Sequence, residues 1–189
     1  RFVQQPELEA AIQDTIGRTY YQLGLYTEAR KQLQRALDLY RRTLGEDHPK
    51  TLTTMSRLGR TAWLQAEYQE AATLLSRAVE AQQRVLGTDN ADTLYSMNNL
   101  ANVYRALGKD AEAEALYSQT LELRRRVLGP EHPDTLSSTN NLANVYWSQG
   151  KYAQAETLYR QAMTTQAKVL GPEHPDTLLS MGNLADTVT

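Results

Sequence analysis

A nine-residue segment occurs four times along the chain, at a spacing of 42 residues. It reads Leu-Gly-Pro-Glu-His-Pro-Asp-Thr-Leu from Leu128 to Leu136 and returns unchanged from Leu170 to Leu178. Weaker copies run from Leu44 to Leu52 and from Leu86 to Leu94. A fixed period of this size is typical of a stacked repeat, in which each unit buries its apolar face only against its neighbours.

The repeated segment combines the end of one helix with the start of the next. Gly129 can take the left-handed conformation that satisfies the last carbonyls of a helix, and Pro130 prevents the helix from continuing. Pro133 suits the first turn of a new helix, and Asp134 places negative charge at its N-terminus. Each copy therefore predicts a short connection between two helices.

Three histidines, His48, His132 and His174, occupy the same place in three copies of the segment. A metal or catalytic role would need them close together. Because they fall one per repeat, the array should spread them along its length. We therefore predict a loop or capping role for these histidines.

The stretches between the segments have the apolar spacing of helices. The first presents Leu8, Ile12, Ile16 and Tyr20 at four-residue spacing, and the second carries Ala29, Leu33, Leu37 and Tyr40 on one face. The pattern predicts helices at about 6–23, 26–44, 50–65, 68–86, 92–107, 110–128, 134–149 and 152–170, with another starting at 176.

Three positions keep one residue type from repeat to repeat. An alanine position allows two helices to approach closely. A glycine position separates the helices of a pair, with Ala66 as the exception. We expect the tyrosines at the third position to face the core rather than a ligand. In the second repeat, Ala62 stands in place of the tyrosine. The positions are Ala29, Ala71, Ala113 and Ala155; Gly24, Gly108 and Gly150; and Tyr20, Tyr104 and Tyr146.

Two consecutive repeats carry a familiar sequence pattern. Asn99–Tyr104 reads Asn-Leu-Ala-Asn-Val-Tyr and is followed by Gly108 and by Ala-Glu-Ala-Glu-Ala-Leu-Tyr at Ala111–Tyr117; Asn141–Tyr146 and Gly150–Tyr159 follow the same plan. This pattern resembles the tetratricopeptide repeat (TPR). The 42-residue period and its connecting segment are similar to the kinesin light chain subtype of that family.

The resemblance implies an all-α, right-handed superhelical solenoid of antiparallel helix pairs. We expect residues 1–189 to form a single TPR array, with repeats at about 6–47, 48–89, 90–131 and 132–173 and a truncated fifth at 174–189. It also implies a non-enzymatic scaffold that binds a protein or peptide partner. Similar arrays occur in bacterial signalling proteins beside kinase or nucleotide-binding domains, so a regulatory arm of a larger protein and a self-assembly module stay open as alternatives.

In this family the first helix of each pair lines the concave, peptide-binding surface. On the third repeat, Tyr95, Asn98, Asn102 and Arg105 fall within about 80° of one another at ~100° per residue. The residues that we predict to bind peptide are Arg18, Tyr21, Arg60, Trp63, Tyr95, Asn98, Asn102, Arg105, Asn140, Asn144 and Trp147.

These side chains suit an extended, acidic segment. A side-chain amide can donate to a peptide carbonyl and accept from a peptide N–H at once. Arginines select carboxylates, and exposed aromatic rings supply contact area at low entropy cost. The alternative is a solvated polar face, with Trp147 packed on a neighbouring helix.

Composition narrows the function classes. The formal charge of −2 and the pI near 6.0 give no overall basic field for nucleic acid. The Arg124–Arg126 run could form a nucleic-acid patch, but its place at a helix C-terminus favours a role with the helix dipole. The chain has no cysteine and no run of 18 apolar residues. We expect no cofactor, metal, catalytic residue, nucleic acid or membrane partner, and a cytoplasmic location.

The last stretch begins a helix without the partner helix that its counterparts have. We therefore expect Leu178, Met181 and Leu184 to be uncovered. An uncovered apolar patch invites contact, so this stretch should either fray or associate end to end with another copy. The chain starts at Arg1 without an initiator methionine, and we expect it to be cut from a longer protein.

Overall fold

The computed structural model describes residues 5–187, which form helices joined by short connections. Within this range there is no strand, and the helices are α1 (Pro6–Gln22), α2 (Tyr26–Leu44), α3 (Pro49–Leu64), α4 (Tyr68–Leu86), α5 (Ala91–Ala106), α6 (Asp110–Leu128), α7 (Pro133–Ser148), α8 (Tyr152–Val169) and α9 (Pro175–Thr187). Odd-numbered helices are the first helices of their pairs. The predicted all-α fold of helix pairs is confirmed, with ends close to those expected from the sequence.

The chain divides into two compact units, Arg1–Leu107 and Gly108–Thr189. The first unit contains α1 to α5 and the second contains α6 to α9. In both units each helix packs against the next helix along the chain. The single array over the whole chain stays a prediction.

The connections between pairs have the predicted helix stop and start. Gly129 lies at φ 89°, in the left-handed region that favours glycine. At the following helix, Nδ1 of His132 accepts a hydrogen bond of 3.1 Å from the backbone N–H of Asp134. The same cap is made by His48, Asn90 and His174. The capping role of the histidines is therefore confirmed.

The two helices of a pair approach closely at small residues. Ala29, Ala71, Ala113 and Ala155 are fully buried, as predicted. Sequence analysis missed a second small position on the first helices, which is Gly17 in α1 and Gly59 in α3. A Cβ atom at Gly59 would lie 2.8 Å from Cγ of Leu75, inside van der Waals contact.

The apolar stripe of α1 is more exposed than its spacing implied. Ile12 and Ile16 are exposed, whereas the equivalent Thr54 and Leu58 of α3 are buried. Leu58 shares a cluster with Leu33 and Leu37 of the preceding helix, α2. In the part of the chain that the structure describes, no helix precedes α1, so its equivalent side chains have nothing to pack against.

The expected exposure of the last helix is confirmed for two side chains and wrong for the third. Leu178 and Met181 are exposed, at 54% and 46%. Leu184 instead packs against a buried cluster that includes Ala155 and Tyr159 of α8. Its position matches that of Leu58, on the side that faces the preceding helix, so it needs no following helix for cover.

The repeated tyrosines lie at the edge of the core. Tyr20, Tyr104 and Tyr146 are half-buried. Tyr146 packs against the cluster around Tyr159, and the Lys151 ammonium lies 5.3 Å from the centre of its ring. The same helix fills its interior with smaller residues, Ala143 and Val145, which leaves the larger ring at the boundary.

Ala66 has the backbone conformation of the glycines that it replaces. Its φ is 62°, beside 75° for Gly24, 70° for Gly108 and 73° for Gly150. A residue with a Cβ atom is strained there by roughly 1–2 kcal/mol.

We predict that Ala66→Gly stabilises the chain. The strain energy relieved exceeds the ~0.4–1 kcal/mol that glycine costs because it gives the unfolded chain more conformational freedom. The free energy of unfolding should therefore rise by about 0.5–1 kcal/mol, which urea denaturation can measure. Gly150→Ala is the control, since no neighbouring atom lies within 4 Å of the added Cβ, and it should destabilise by a similar amount. A lower stability for Ala66→Gly would contradict this explanation.

Candidate functional site

Three predicted binding residues from three successive first helices meet at Arg60. Its guanidinium carbon lies 4.7 Å from the ring centre of Tyr21 and 5.5 Å from that of Tyr95. Arg60 also donates a hydrogen bond to the Tyr95 hydroxyl. Cation–π contact attracts the guanidinium to both rings. The three residues therefore hold one another in place across α1, α3 and α5.

Tyr21 is the more enclosed of the two rings. It is half-buried, and the ring centre of Tyr26 lies 5.7 Å away. Burial raises the pKa of Tyr21 to about 12, against a smaller opposite effect of the positive charge on Arg60. The Tyr21 hydroxyl therefore keeps its proton at neutral pH and can donate a hydrogen bond.

This group of residues borders a small cleft, which we call the arginine cleft. Its volume is about 170 Å³, and its lining consists of Arg18, Tyr21, Gln22, Leu33, Arg57, Arg60 and Tyr95. Arg18 is exposed and makes no ion pair with any residue in the range 5–187. The cleft therefore presents at least one guanidinium that is available to a ligand.

Arg57 was missed by the sequence analysis. Its Nη1 donates to both carboxylate oxygens of buried Asp14, at 2.7 and 2.9 Å, and the Thr54 hydroxyl donates to the same carboxylate at 3.1 Å. One signal was present in the sequence, because Arg57 is one helical turn from Arg60 and shares its face. The buried carboxylate that holds it could not be foreseen.

An adjoining cleft of about 280 Å³ shares Arg18, Arg57 and Tyr95 with the first. Asp92 also lines it, and its Oδ2 accepts a hydrogen bond of 3.0 Å from the Thr53 hydroxyl. The remaining lining residues are Ser56, Gln82 and Ser96. The two clefts therefore lie side by side on the first unit and share three polar side chains of its first helices.

The other predicted residues of the first unit extend this surface. Trp63 on α3 and Asn98 and Asn102 on α5 are half-buried, and Arg105 on α5 is exposed. Met97 and Leu100 of α5 are buried, as the predicted helix faces require.

In the second unit, α7 carries Asn140, Asn144 and Trp147. Asn140 Nδ2 donates to the Ser180 hydroxyl of α9 at 2.8 Å, and Asn144 Oδ1 accepts from the Tyr159 hydroxyl of α8. Trp147 is 46% exposed. Both amides thus already bind neighbouring helices, and only part of their hydrogen-bonding capacity is left for a peptide.

The arginine run of α6 does not form one exposed basic patch. Arg124 is only 4% exposed, and its Nη1 donates to the Asp134 carbonyl and to the Ser138 hydroxyl, each at 2.8 Å. The expectation that it serves the helix dipole is incomplete, because Arg124 joins α6 to α7. This burial argues against the nucleic-acid alternative.

Among the described residues, no group of three or more histidine or acidic side chains is placed to hold a metal ion. No helix there has the length and apolar character needed to cross a membrane.

A family model described as tetratricopeptide repeat matches residues 8–84, 63–123, 92–168 and 136–189. The chain belongs to the tetratricopeptide repeat family. The resemblance seen in its motifs is therefore confirmed. No curated protein sequence gave a significant match.

Solved structures place this TPR chain beside kinesin light chain-like repeats. A crystal structure of nearly identical TPR-like repeats, assigned to a kinesin light chain of Podosopora anserina, has 32% sequence identity and a TM-score of 0.83, and the match covers 98% of this chain and 87% of that one. A variant of the same repeats gives the same identity and TM-score, with coverages of 96% and 85%.

A more distant structure shares the fold. BtubC (BKLC) from P. vanneervenii has a TM-score of 0.71 at 19% identity, with 97% of this chain and 83% of that chain covered. At this identity the similarity concerns the fold alone.

The hydrogen bond between Asn144 and Tyr159 gives a prediction about stability. Asn144→Ala should lower the free energy of unfolding by about 1–3 kcal/mol, because the buried Tyr159 hydroxyl loses an acceptor. Adding Tyr159→Phe should recover most of that loss, since both partners are then removed. Urea denaturation measures both effects. Arg105→Ala is the control at an exposed position and should change the free energy of unfolding by no more than about 0.5 kcal/mol. An equally small effect of Asn144→Ala would contradict the hydrogen bond between Asn144 and Tyr159.

Proposed function

We propose that this TPR chain is a non-enzymatic scaffold that holds an extended, acidic segment of a partner protein along the first-helix face. The observation that carries the proposal is the arginine cleft, where Arg60 is fixed between two tyrosines and Arg18 has no carboxylate partner within residues 5–187. Both side chains lie on first helices, the face that binds peptide in this family. We expect such a scaffold to work in the cytoplasm.

The charge of the cleft supports an acidic ligand. An acidic side chain of the partner would find a guanidinium at Arg18 without first breaking an ion pair. Arg60 is held by Tyr21 and Tyr95, so less side-chain freedom is lost when it binds. A prepositioned guanidinium can hold a carboxylate through two parallel hydrogen bonds. Arg105 adds positive charge on α5 of the same unit.

The amides and indoles fit the rest of such a segment. Asn98 and Asn102 follow Tyr95 on α5, one and two helical turns along. Amide groups can pair with the backbone of an extended chain whatever its side chains are. Trp63 offers flat apolar surface for side chains between the acidic ones, and Trp147 offers a similar surface within the second unit. These residues would contribute affinity, while the arginines would select for charge.

Self-association is the second candidate function. The observation in its favour is the exposure of Leu178 and Met181 on α9, whose counterparts in earlier repeats, such as Leu136 and Met55, are buried. A second copy could cover these side chains. Sedimentation velocity at 5 and 200 µM separates the two cases, because a scaffold that acts through its groove needs no concentration-dependent dimer.

The groove proposal predicts a selective loss of binding to acidic peptides. An array of 15-residue peptides that span a range of net charge would first identify binders. Arg18→Ala and Arg60→Ala should then each weaken those binders about tenfold, as expected for loss of a hydrogen bond to a charged group. Both should also reduce the salt dependence of the Kd, because exposed charges are screened within ~8–10 Å. Fluorescence anisotropy measures these affinities.

Arg35→Ala is the matched control, since Arg35 is an exposed arginine of α2 outside both clefts. It removes the same charge and should leave the Kd within about twofold. Equal losses for Arg35, Arg18 and Arg60 would mean that the chain senses only net charge. Unchanged affinity in all three folded variants would place the binding surface elsewhere.

A further inference from the structure

We propose that the arginine cleft binds a phosphorylated side chain of the partner segment in preference to a carboxylate. This inference rests on the proposed function, since it concerns one side chain of the segment that the groove would hold. The inference specifies which chemical group of the partner segment binds between α1, α3 and α5. It therefore makes partner binding dependent on phosphorylation of the partner.

The number of charges favours a dianion. Arg18, Arg57 and Arg60 line the cleft, and among the described residues only Arg57 of these three forms an ion pair with a carboxylate, that of Asp14. Three positive charges less one negative charge leave a charge of +2 at the cleft. A phosphorylated serine or threonine carries about −1.5 to −2 at neutral pH, whereas a carboxylate carries only −1. Phosphate therefore matches this charge more closely.

The donors around the cleft also suit a tetrahedral group with several oxygens. Stacking between two rings leaves the edge of the Arg60 guanidinium able to donate. The Tyr95 hydroxyl accepts from Arg60, so its own proton can point to a further acceptor. The Tyr21 hydroxyl stays protonated at neutral pH. Together with Arg18, these groups could reach several phosphate oxygens, more than a carboxylate has.

The size of the cleft suits the terminal group of a bound side chain better than a whole small molecule. About 170 Å³ is below the ~300–1,000 Å³ of pockets that enclose small molecules such as cofactors. The adjoining cleft shares Arg18, Arg57 and Tyr95 with the arginine cleft, so the chain on one side of the modified residue could continue along the first helices. Asp92 lines that adjoining cleft and not the arginine cleft, so its negative charge is not part of the lining that would hold the phosphate.

The test uses three degenerate libraries of acidic 15-residue peptides that differ only in a fixed central residue, which is phosphoserine, glutamate or serine. Fluorescence anisotropy at fixed ionic strength gives each apparent Kd for the whole chain. We expect the phosphoserine library to bind about tenfold more tightly than the glutamate library, the effect of one additional charge-assisted hydrogen bond. Arg18→Gln and Arg60→Gln should each remove most of this preference, and Arg35→Gln should keep it.

Arg18→Lys keeps the charge but loses the planar fork of donors, so it should give an intermediate preference. Circular dichroism checks that each variant is folded. Equal binding of the phosphoserine and glutamate libraries, with both weakened by Arg18→Gln, overturns the phosphate preference and leaves the acidic groove intact. A preference that survives Arg18→Gln and Arg60→Gln places the phosphate elsewhere and overturns the assignment.

Inorganic phosphate is a separate probe of the same chemistry. Titration followed by the Nε–Hε NMR signals of arginine should shift those of Arg18 and Arg60, while the signal of Arg35 stays in place. Shifts with inorganic phosphate but no binding of any peptide library would overturn both the phosphopeptide assignment and the groove. That result would identify a site for the free anion.

Discussion

The fold depends on the close approach of the two helices within a pair. At Gly17 and Gly59 the first helix comes so near to the second that a Cβ atom would lie 2.8 Å from a leucine Cγ. The buried alanines of the second helices serve the same purpose from the other side. In the first unit, Tyr21, Arg60 and Tyr95 come together from α1, α3 and α5, the first helices of consecutive pairs.

Polar bonds between consecutive first helices add a second level of order. The Thr54 hydroxyl donates to Asp14, the Ser96 hydroxyl donates to Ser56 at 2.7 Å, and Asn140 donates to Ser180. All three bonds join residues 40 positions apart. Some polar residues of the first helices thus hold neighbouring repeats in register. The side chains one turn further along, such as Arg18 and Arg60, stay available to a ligand.

Much of the fold could be predicted from sequence because its signals are local. The Gly-Pro and His-Pro pairs mark where each helix ends and begins, and the 42-residue period applies the same boundaries along the chain. The identities of Tyr21, Arg60 and Tyr95 as surface residues on one face were also predictable. Their stacking was not, because it depends on the spacing of three helices. The Asp14–Arg57 pair was missed because a buried carboxylate has no local sequence signal.

The error at Leu184 has a related physical cause. Periodicity shows which side of a helix is apolar but not whether a neighbour covers it, so Leu184 was expected to be uncovered although it packs against α8. Likewise, the hydrogen bond between Asn144 and Tyr159 could not be foreseen, because it joins two helices whose packing the sequence does not specify. The predicted binding face therefore contains two kinds of residue. Some maintain the stack, and others such as Arg18 are exposed and form no ion pair in the part of the chain that the structure describes.

The matched surfaces within each pair limit how repeats of this kind can be rearranged. Gly59 lies against Leu75, whereas Ala143 shares a buried cluster with Tyr159. A hybrid of α7 with α4 would set the methyl group of Ala143 where Leu75 leaves no room for one. First and second helices from pairs of these two kinds are therefore not interchangeable. Duplication, loss or recombination of such a chain should preserve whole two-helix modules, with breakpoints in the connections between them.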